Sequence, residues 1–162
     1  MFAFNFYLCD NFFMKKEEFM LNALKEAEKA KKKNEVPIGA IVVKDGKIIS
    51  AGYNQREKKQ NAILHAEIVA INKACKKLKS WRLSDCDIYV TLEPCLMCLG
   101  AILNARIKNL YFGAYDKSCS SISANESLFE KPILNHKTNV EGGILEEDCA
   151  KILTDFFREN RR

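Results

Sequence analysis

The sequence predicts a single α/β domain with three layers, α/β/α, around a central mixed five-stranded sheet. Three observations point there. Segments with apolar residues at three- and four-residue spacing alternate with short runs rich in β-branched and aromatic residues. Asp45-Gly46 sits between two such runs as a two-residue hairpin signal, which makes one strand pair antiparallel. The 162 residues contain no internal repeat, long linker or low-complexity tract, so one core accommodates the chain.

The elements follow in order. "MFAFNFYLCDNFFM" is aromatic and apolar, with no Lys or Arg before Lys15 and with Asp10 interrupting the run. It lacks the charged leader of a secretory signal and is too short to span a bilayer. Residues 1–14 are read as an N-terminal extension, either upstream of a native start at Met14 or an aromatic tail packed on the domain. Residues 15–162 are that domain. From Lys15 to Lys33, Phe19, Met20, Ala23, Leu24, Ala27 and Ala30 form the apolar stripe of a helix that Asn34 and Pro37 stop. "IGAIVV" and "KIISAGY" are the hairpin strands, and "NQREKKQNAIL" is a polar loop leading to His65. A helix from His65 to Leu78 places Ile68, Ile71, Cys75 and Leu78 on one stripe. "DIYVTL" is a strand, and Pro94 opens the helix "CLMCLGAILNA", since proline suits a first helical position. "IKNLYFGA" is the next strand, "YDKSCSSISANESLFEKPILNHK" a functional loop and "TNVEGGIL" the last strand. "EEDCAKILTDFFRENRR" closes the chain as a helix with acids first and arginines last, as its dipole prefers.

Hydrophobic residues at 48% and charged residues at 29% are ordinary for a soluble globular protein. The net charge of +5 permits a nucleic-acid partner without requiring one. Seven cysteines cannot all pair within one chain, and Cys9, Cys75, Cys86, Cys119 and Cys149 are scattered. That usage suits a reducing compartment, so the expectation is a cytoplasmic protein without membrane attachment.

The chemistry lies in "LHAEIVAINKA" and "TLEPCLMCLGAIL". His65-x-Glu67 alone is a weak signal, and Cys95-x-x-Cys98 alone suits a redox pair or half a zinc site. Each begins a helix at the rim of an α/β sheet, where ligand sites gather, so the two can converge. His65, Cys95 and Cys98 supply three zinc ligands and leave a fourth tetrahedral position open, the pattern of a catalytic site. A structural site would need a fourth ligand, for which His136 and Cys86 are the candidates. Two thiolates weaken the metal as a Lewis acid, so a water there needs a base. Glu67, two residues from a ligand, can take that proton and later return it. The ordinary alternative makes Glu67 a first-turn acid on the helix dipole.

H-x-E followed by P-C-x-x-C is the signature of zinc nucleobase deaminases. Beyond it, "EVPIGAIVV", "GYN", "HAEIVAI", "YVTLEPCLMCLGAIL", "FGAYD" and "EGGILEEDCAKILTDFFRENRR" resemble the bacterial tRNA-specific adenosine deaminases, in the same order from about Glu18 to the end. His65 stands where cytidine deaminases carry cysteine, and only Leu96 and Met97 separate the two cysteines, a shorter interval than in the riboflavin-pathway deaminases. The resemblance implies a cytidine-deaminase-like fold, a homodimer, and one Zn2+ per subunit on His65, Cys95 and Cys98. It implies that Glu67 shuttles protons while a zinc-activated water attacks C6 of the wobble adenosine (position 34) in an arginine tRNA with an ACG anticodon, giving inosine and ammonia. It also implies that Asn54 contacts the base and Asp116 the anticodon-loop backbone. By themselves these two read as a strand-end turn residue and a cap. In "FFRENRR", Phe156 and Phe157 are candidates to stack on loop bases, and Arg158, Arg161 and Arg162 to meet phosphates. The plainer alternative has rings in the core and arginines in solvent. One departure stands out: the family usually has Asp-Pro-Thr-Ala before the histidine, and this chain has Asn61-Ala62-Ile63-Leu64, so a looser or re-routed approach to the helix is expected. Two other functions remain open: a deaminase of free guanine or cytosine, and a zinc-stabilised binding module without catalysis.

Overall fold

Asp45 and Gly46 take φ of 50° and 69°, the left-handed pair that a type I′ turn requires. They fold β1 (Gly39–Lys44) back on β2 (Lys47–Tyr53). The computed structural model describes residues 10–118, 122 and 136–160. Its other elements are α1 (Asp10–Lys31), α2 (Arg56–Lys59), α3 (Ala66–Leu78), β3 (Cys86–Leu92), α4 (Leu96–Asn104), β4 (Asn109–Ala114), β5 (Asn139–Glu141) and α5 (Glu146–Asn160). The strands form one mixed five-stranded sheet in the order β2-β1-β3-β4-β5. β1 is antiparallel to β2 and β3, and β3, β4 and β5 run parallel.

Alternation along the strands divides the core into two layers. Ala40, Val42, Ile88, Val90, Leu110 and Phe112 pack against α3 and α4. Ile41, Val43, Tyr89 and Ala114 pack on the other face, against Phe19, Met20 and Ala23 of α1 and Cys149 of α5. The three-layer expectation holds. The helix predicted from Lys15 runs unbroken from Asp10 through Met14, so the backbone marks no boundary there; residues 1–9 lie outside the described residues. No described helix is long and apolar enough to cross a membrane.

Four details differ from expectation. The polar loop before His65 contains the single turn α2. α4 starts at Leu96 with Cys95 as its N-cap, so Pro94 precedes the cap instead of opening the helix. β5 is only three residues long, because Gly142 and Gly143 (φ +86°) turn the chain toward α5. The buried face of α3 is Ala66, Val69, Ala70, Ile71 and Ala74, while Ile68, Cys75 and Leu78 are half-buried. The cause of this last shift is close packing. A Cβ on Gly52 of β2 would lie 2.5 Å from the Ala66 carbonyl oxygen and 2.7 Å from the Ala70 nitrogen. The helix backbone rests directly on the strand, and only small side chains fit at that contact. Most of the expected loop after Tyr115, with Cys119, lies outside the described residues, as do Cys9, Arg161 and Arg162.

Candidate active site

Glu93 and Pro94 carry the chain from the end of β3 to Cys95, and the segment after α2 carries it to His65. Both residues are helix N-caps with extended backbone, φ/ψ −71°/158° at His65 and −68°/167° at Cys95. Neither side chain caps its own helix, so both are free to project at the rim. The positive ends of α3 and α4 thereby meet at one spot, which favours thiolate. His65 Nδ1 stands 3.6 Å from Sγ of Cys95 and 3.6 Å from Sγ of Cys98. The three donor atoms all lie within 4.8 Å of one another. For zinc–nitrogen and zinc–sulfur bonds of about 2.05 and 2.3 Å at a tetrahedral angle, the two donors stand about 3.6 Å apart. The donor set fits zinc in kind and in spacing.

The two candidates for a fourth ligand are placed elsewhere. Cys86 begins β3, at the opposite end of the strand from the site. His136 Nε2 is 2.8 Å from the Ile107 carbonyl oxygen. Among the described residues the group able to hold a metal is His65, Cys95 and Cys98, the ligand number of a catalytic centre.

The electrostatics of the triad follow from its hydrogen bonds. Hydrogen bonds from Cys98 and from His65 hold the Cys95 thiol down to about 4, against the effect of burial. The proton that Cys98 shares with Cys95, together with burial, pushes the Cys98 thiol far up. The bond to Cys95 lifts His65 above the ordinary imidazole value. Glu67, on the first turn of α3, is 3% exposed. Burial pushes its carboxyl above the usual carboxylate range, against the opposing pull of its own backbone amide, His65 and Cys98. A first-turn acid serving only the helix dipole would stand in solvent. This one is enclosed beside the three donors.

A pocket of about 130 Å³ opens beside the triad, lined by Val36, Ile38, Asn54, Arg56, His65 and Ala66. Asn54 is 6% exposed. Its Nδ2 donates to the Val36 carbonyl at 3.4 Å and its Oδ1 accepts from the Arg56 amide at 3.3 Å. Both bonds are at the long limit, so the amide keeps capacity to donate to and accept from a ligand. Asp116 follows β4; its carboxylate accepts from the Ser118 amide at 2.9 Å and hydroxyl at 2.6 Å, closing a local turn.

On α5 the structure separates the two rings. Phe156 is 8% exposed and lies on the buried side of the helix with Cys149 and Ile152, whereas Phe157 is 50% exposed. Phe156 is therefore a core residue and not a surface for stacking; helical spacing turns Phe157 outward instead. Arg158 is exposed and pairs with Asp155 at 2.8 Å.

Two acids escaped the sequence reading. Glu93, 5% exposed, accepts the Asp116 amide on Oε2 at 3.0 Å and the Ile122 amide on Oε1 at 2.9 Å, anchoring the segment after β4 to the residue next to Pro94. Glu35 does the same for α2. Nothing in local spacing signals either, because their partners lie more than twenty residues away. The Asn61–Leu64 departure is also resolved. Asn61 Oδ1 accepts the Ile63 amide at 3.1 Å and the Leu64 carbonyl accepts the Gln55 amide at 3.0 Å, so an Asx turn orders the segment without proline.

The MafB19-like deaminase family profile matches residues 14–161. A tRNA-specific adenosine deaminase of Bacillus subtilis (strain 168) is 45% identical over 146 residues, covering 90% of this chain and 91% of that protein. A solved structure from a study of A-to-I editing by tRNA:A34 deaminases at the wobble position of transfer RNA is 42% identical, with a TM-score of 0.78 over 84% of this chain and 99% of that one. A guanine deaminase from Bacillus subtilis is 31% identical, with a TM-score of 0.60 over 90% of this chain and 96% of that one.

Proposed function

The chain belongs to the MafB19-like deaminase family, and from that premise we infer that it converts adenosine to inosine at the wobble position of a transfer RNA. One observation carries the reading: a three-donor centre, an enclosed carboxylate and an amide-lined pocket coincide. The 45% identity to a relative named a tRNA-specific adenosine deaminase, and the 42% identity to a structure from a study of tRNA:A34 deaminases, support that substrate.

In this reading His65, Cys95 and Cys98 hold one Zn2+. When bound, the metal supplies Lewis acidity that makes water nucleophilic near neutral pH. Asn54 orients the flipped base through its side-chain amide, donating to a ring acceptor and accepting from a donor. The pocket walls Val36 and Ile38 give the base an apolar surface and exclude bulk water. Glu67 takes a proton from the attacking water and passes it to the ring nitrogen beside C6. Glu67 then moves the second water proton to the exocyclic amine; the C6–N bond breaks, ammonia leaves and the oxygen stays as the inosine carbonyl. A carboxyl raised by burial is suited to both directions of that transfer.

The substrate proposed in detail is the anticodon stem-loop of an arginine tRNA with an ACG anticodon. Asp116, Phe157 and Arg158 are proposed to meet its loop. A cytoplasmic homodimer is proposed as well: the described cysteines are free, and the outer side of α4 exposes Leu96, Met97 and Gly100. The deciding experiment is incubation with in-vitro transcribed arginine tRNA, followed by detection of inosine at position 34. Parallel incubations with free guanine, cytosine and adenosine test the runner-up, which the 31% identity to a guanine deaminase keeps specific. Ammonia release from a free base with no inosine in the tRNA would replace the reading.

A further inference from the structure

The end of β2 divides two cavities. Tyr53, Asn54 and Gln55 are consecutive at the point where the chain leaves β2 and turns into α2, with Gln55 at φ/ψ −135°/20°. Asn54 enters the pocket beside His65. Tyr53 and Gln55 line a second cavity of about 270 Å³, shared with Lys33, Glu35, Lys58 and Lys59.

The charge of this second cavity is positive because three lysines outnumber its one acid, which is turned to backbone amides. Glu35 is 1% exposed, with Oε2 accepting the Glu57 amide at 3.1 Å and Oε1 the Lys58 amide at 2.7 Å. Gln55, the N-cap of α2, makes no side-chain cap bond, so Glu35 supplies the cap from a distant part of the chain. It thereby fixes the turn that presents Lys58 and Lys59. Lys33 lies across the Tyr53 ring, 4.6 Å from its centroid, and donates to the Tyr53 hydroxyl. Among the described residues none of these three lysines takes part in an ion pair. Three ammonium groups on a shaped concave surface, whose one lining carboxylate is bonded to backbone amides, match a row of phosphates and not a neutral ligand.

We propose that this cavity is a subsite for the sugar-phosphate backbone of the RNA strand that flanks the target adenosine. The proposal rests on the reading of the site given above. The two cavities share the Tyr53–Arg56 ribbon, so a strand with one base beside His65 lays its neighbouring phosphates over Lys33, Lys58 and Lys59. Lysine point charges there contribute affinity and register without reading sequence.

The test compares wild-type protein with K33Q/K58Q/K59Q and with a control, K76Q/K77Q/K79Q, which removes three exposed lysines at the far end of α3. Binding of a fluorescent anticodon stem-loop and its deamination are followed across a salt series, with zinc content and thermal melting recorded for each protein. The first variant is expected to bind about tenfold more weakly and to raise KM alike, with kcat at saturating RNA unchanged. The slope of log affinity against log salt should fall by about two, at roughly 0.7 per phosphate contact for a single strand. Zinc content and melting should match wild type, and the control should bind as wild type does. Equal behaviour of wild type and K33Q/K58Q/K59Q, or an equal loss in the control, overturns the subsite while leaving the deaminase reading intact. Wild-type protein that edits no RNA removes both.

Discussion

The proposed proton transfers all fall on one side chain, Glu67. It is enclosed, next to the donors and not among them, so its removal separates catalysis from metal binding. Glu67→Ala is expected to retain one zinc per chain by native mass spectrometry and to lose about 10²- to 10⁴-fold in kcat, the usual scale of general acid–base catalysis. Full activity in that variant would remove Glu67 from the mechanism. The same scale decides between the adjacent rings of α5. Phe156→Ala should cost about 3–5 kcal/mol of unfolding free energy, because it empties a packed site. Phe157→Ala, exposed by half, should stay within about 0.5 kcal/mol and act on RNA affinity alone. Chemical denaturation of the two variants side by side distinguishes them.

At the scale of elements, the site depends on how closely α3 lies on the sheet. Gly52 sets that distance, since a side chain there would meet the backbone of α3 at Ala66 and Ala70. Gly52→Val must push the helix outward or strain the strand, and overpacking of this kind costs about 1–3 kcal/mol. His65 and Glu67 sit at the N-terminal end of the displaced helix, so metal affinity should fall together with stability. Zinc competition with a colorimetric chelator and a thermal melt report the two losses. A variant that loses stability but binds zinc normally would show that the cap position of His65 is held from elsewhere. Gly39 makes the equivalent approach to α1, where an added Cβ would lie 2.1 Å from the Ala23 carbonyl oxygen. That contact lies on the other face of the sheet, and Gly39→Ala should destabilise without touching metal affinity.

Taken whole, the molecule builds its two apolar clusters from residues other than the metal donors, with Ala66 and Leu99 of one cluster adjoining them. Cys98 is buried, but neither apolar cluster includes His65, Cys95 or Cys98. Chelation is therefore expected to abolish deamination while far-UV circular dichroism stays native, with activity restored by added zinc; loss of the helical signal on chelation would mean that the metal holds the fold. The same separation explains what could be read from the chain. The strands, the Asp45-Gly46 hairpin and the stripe of α1 are written in local periodicity, and the donors in local motifs. What local pattern could not carry was set by contacts between distant residues. The orientation of α3 follows from Gly52, α2 from its remote cap Glu35, and the segment after β4 from Glu93. The core position of Phe156 follows from where α5 meets its neighbours, and two adjacent phenylalanines carry no sign of which one turns inward.

His65 and Cys95 are fixed by the starts of well-packed helices, whereas Asn54 and Arg56 ride on a short ribbon with its own fastening. The proposed metal donors and the proposed base-orienting amide are thus mounted on separate supports. Substitutions confined to residues 54–59 can retune which base or strand is admitted while the reactive centre stays intact, giving a lineage of such proteins room to change diet without relearning the chemistry.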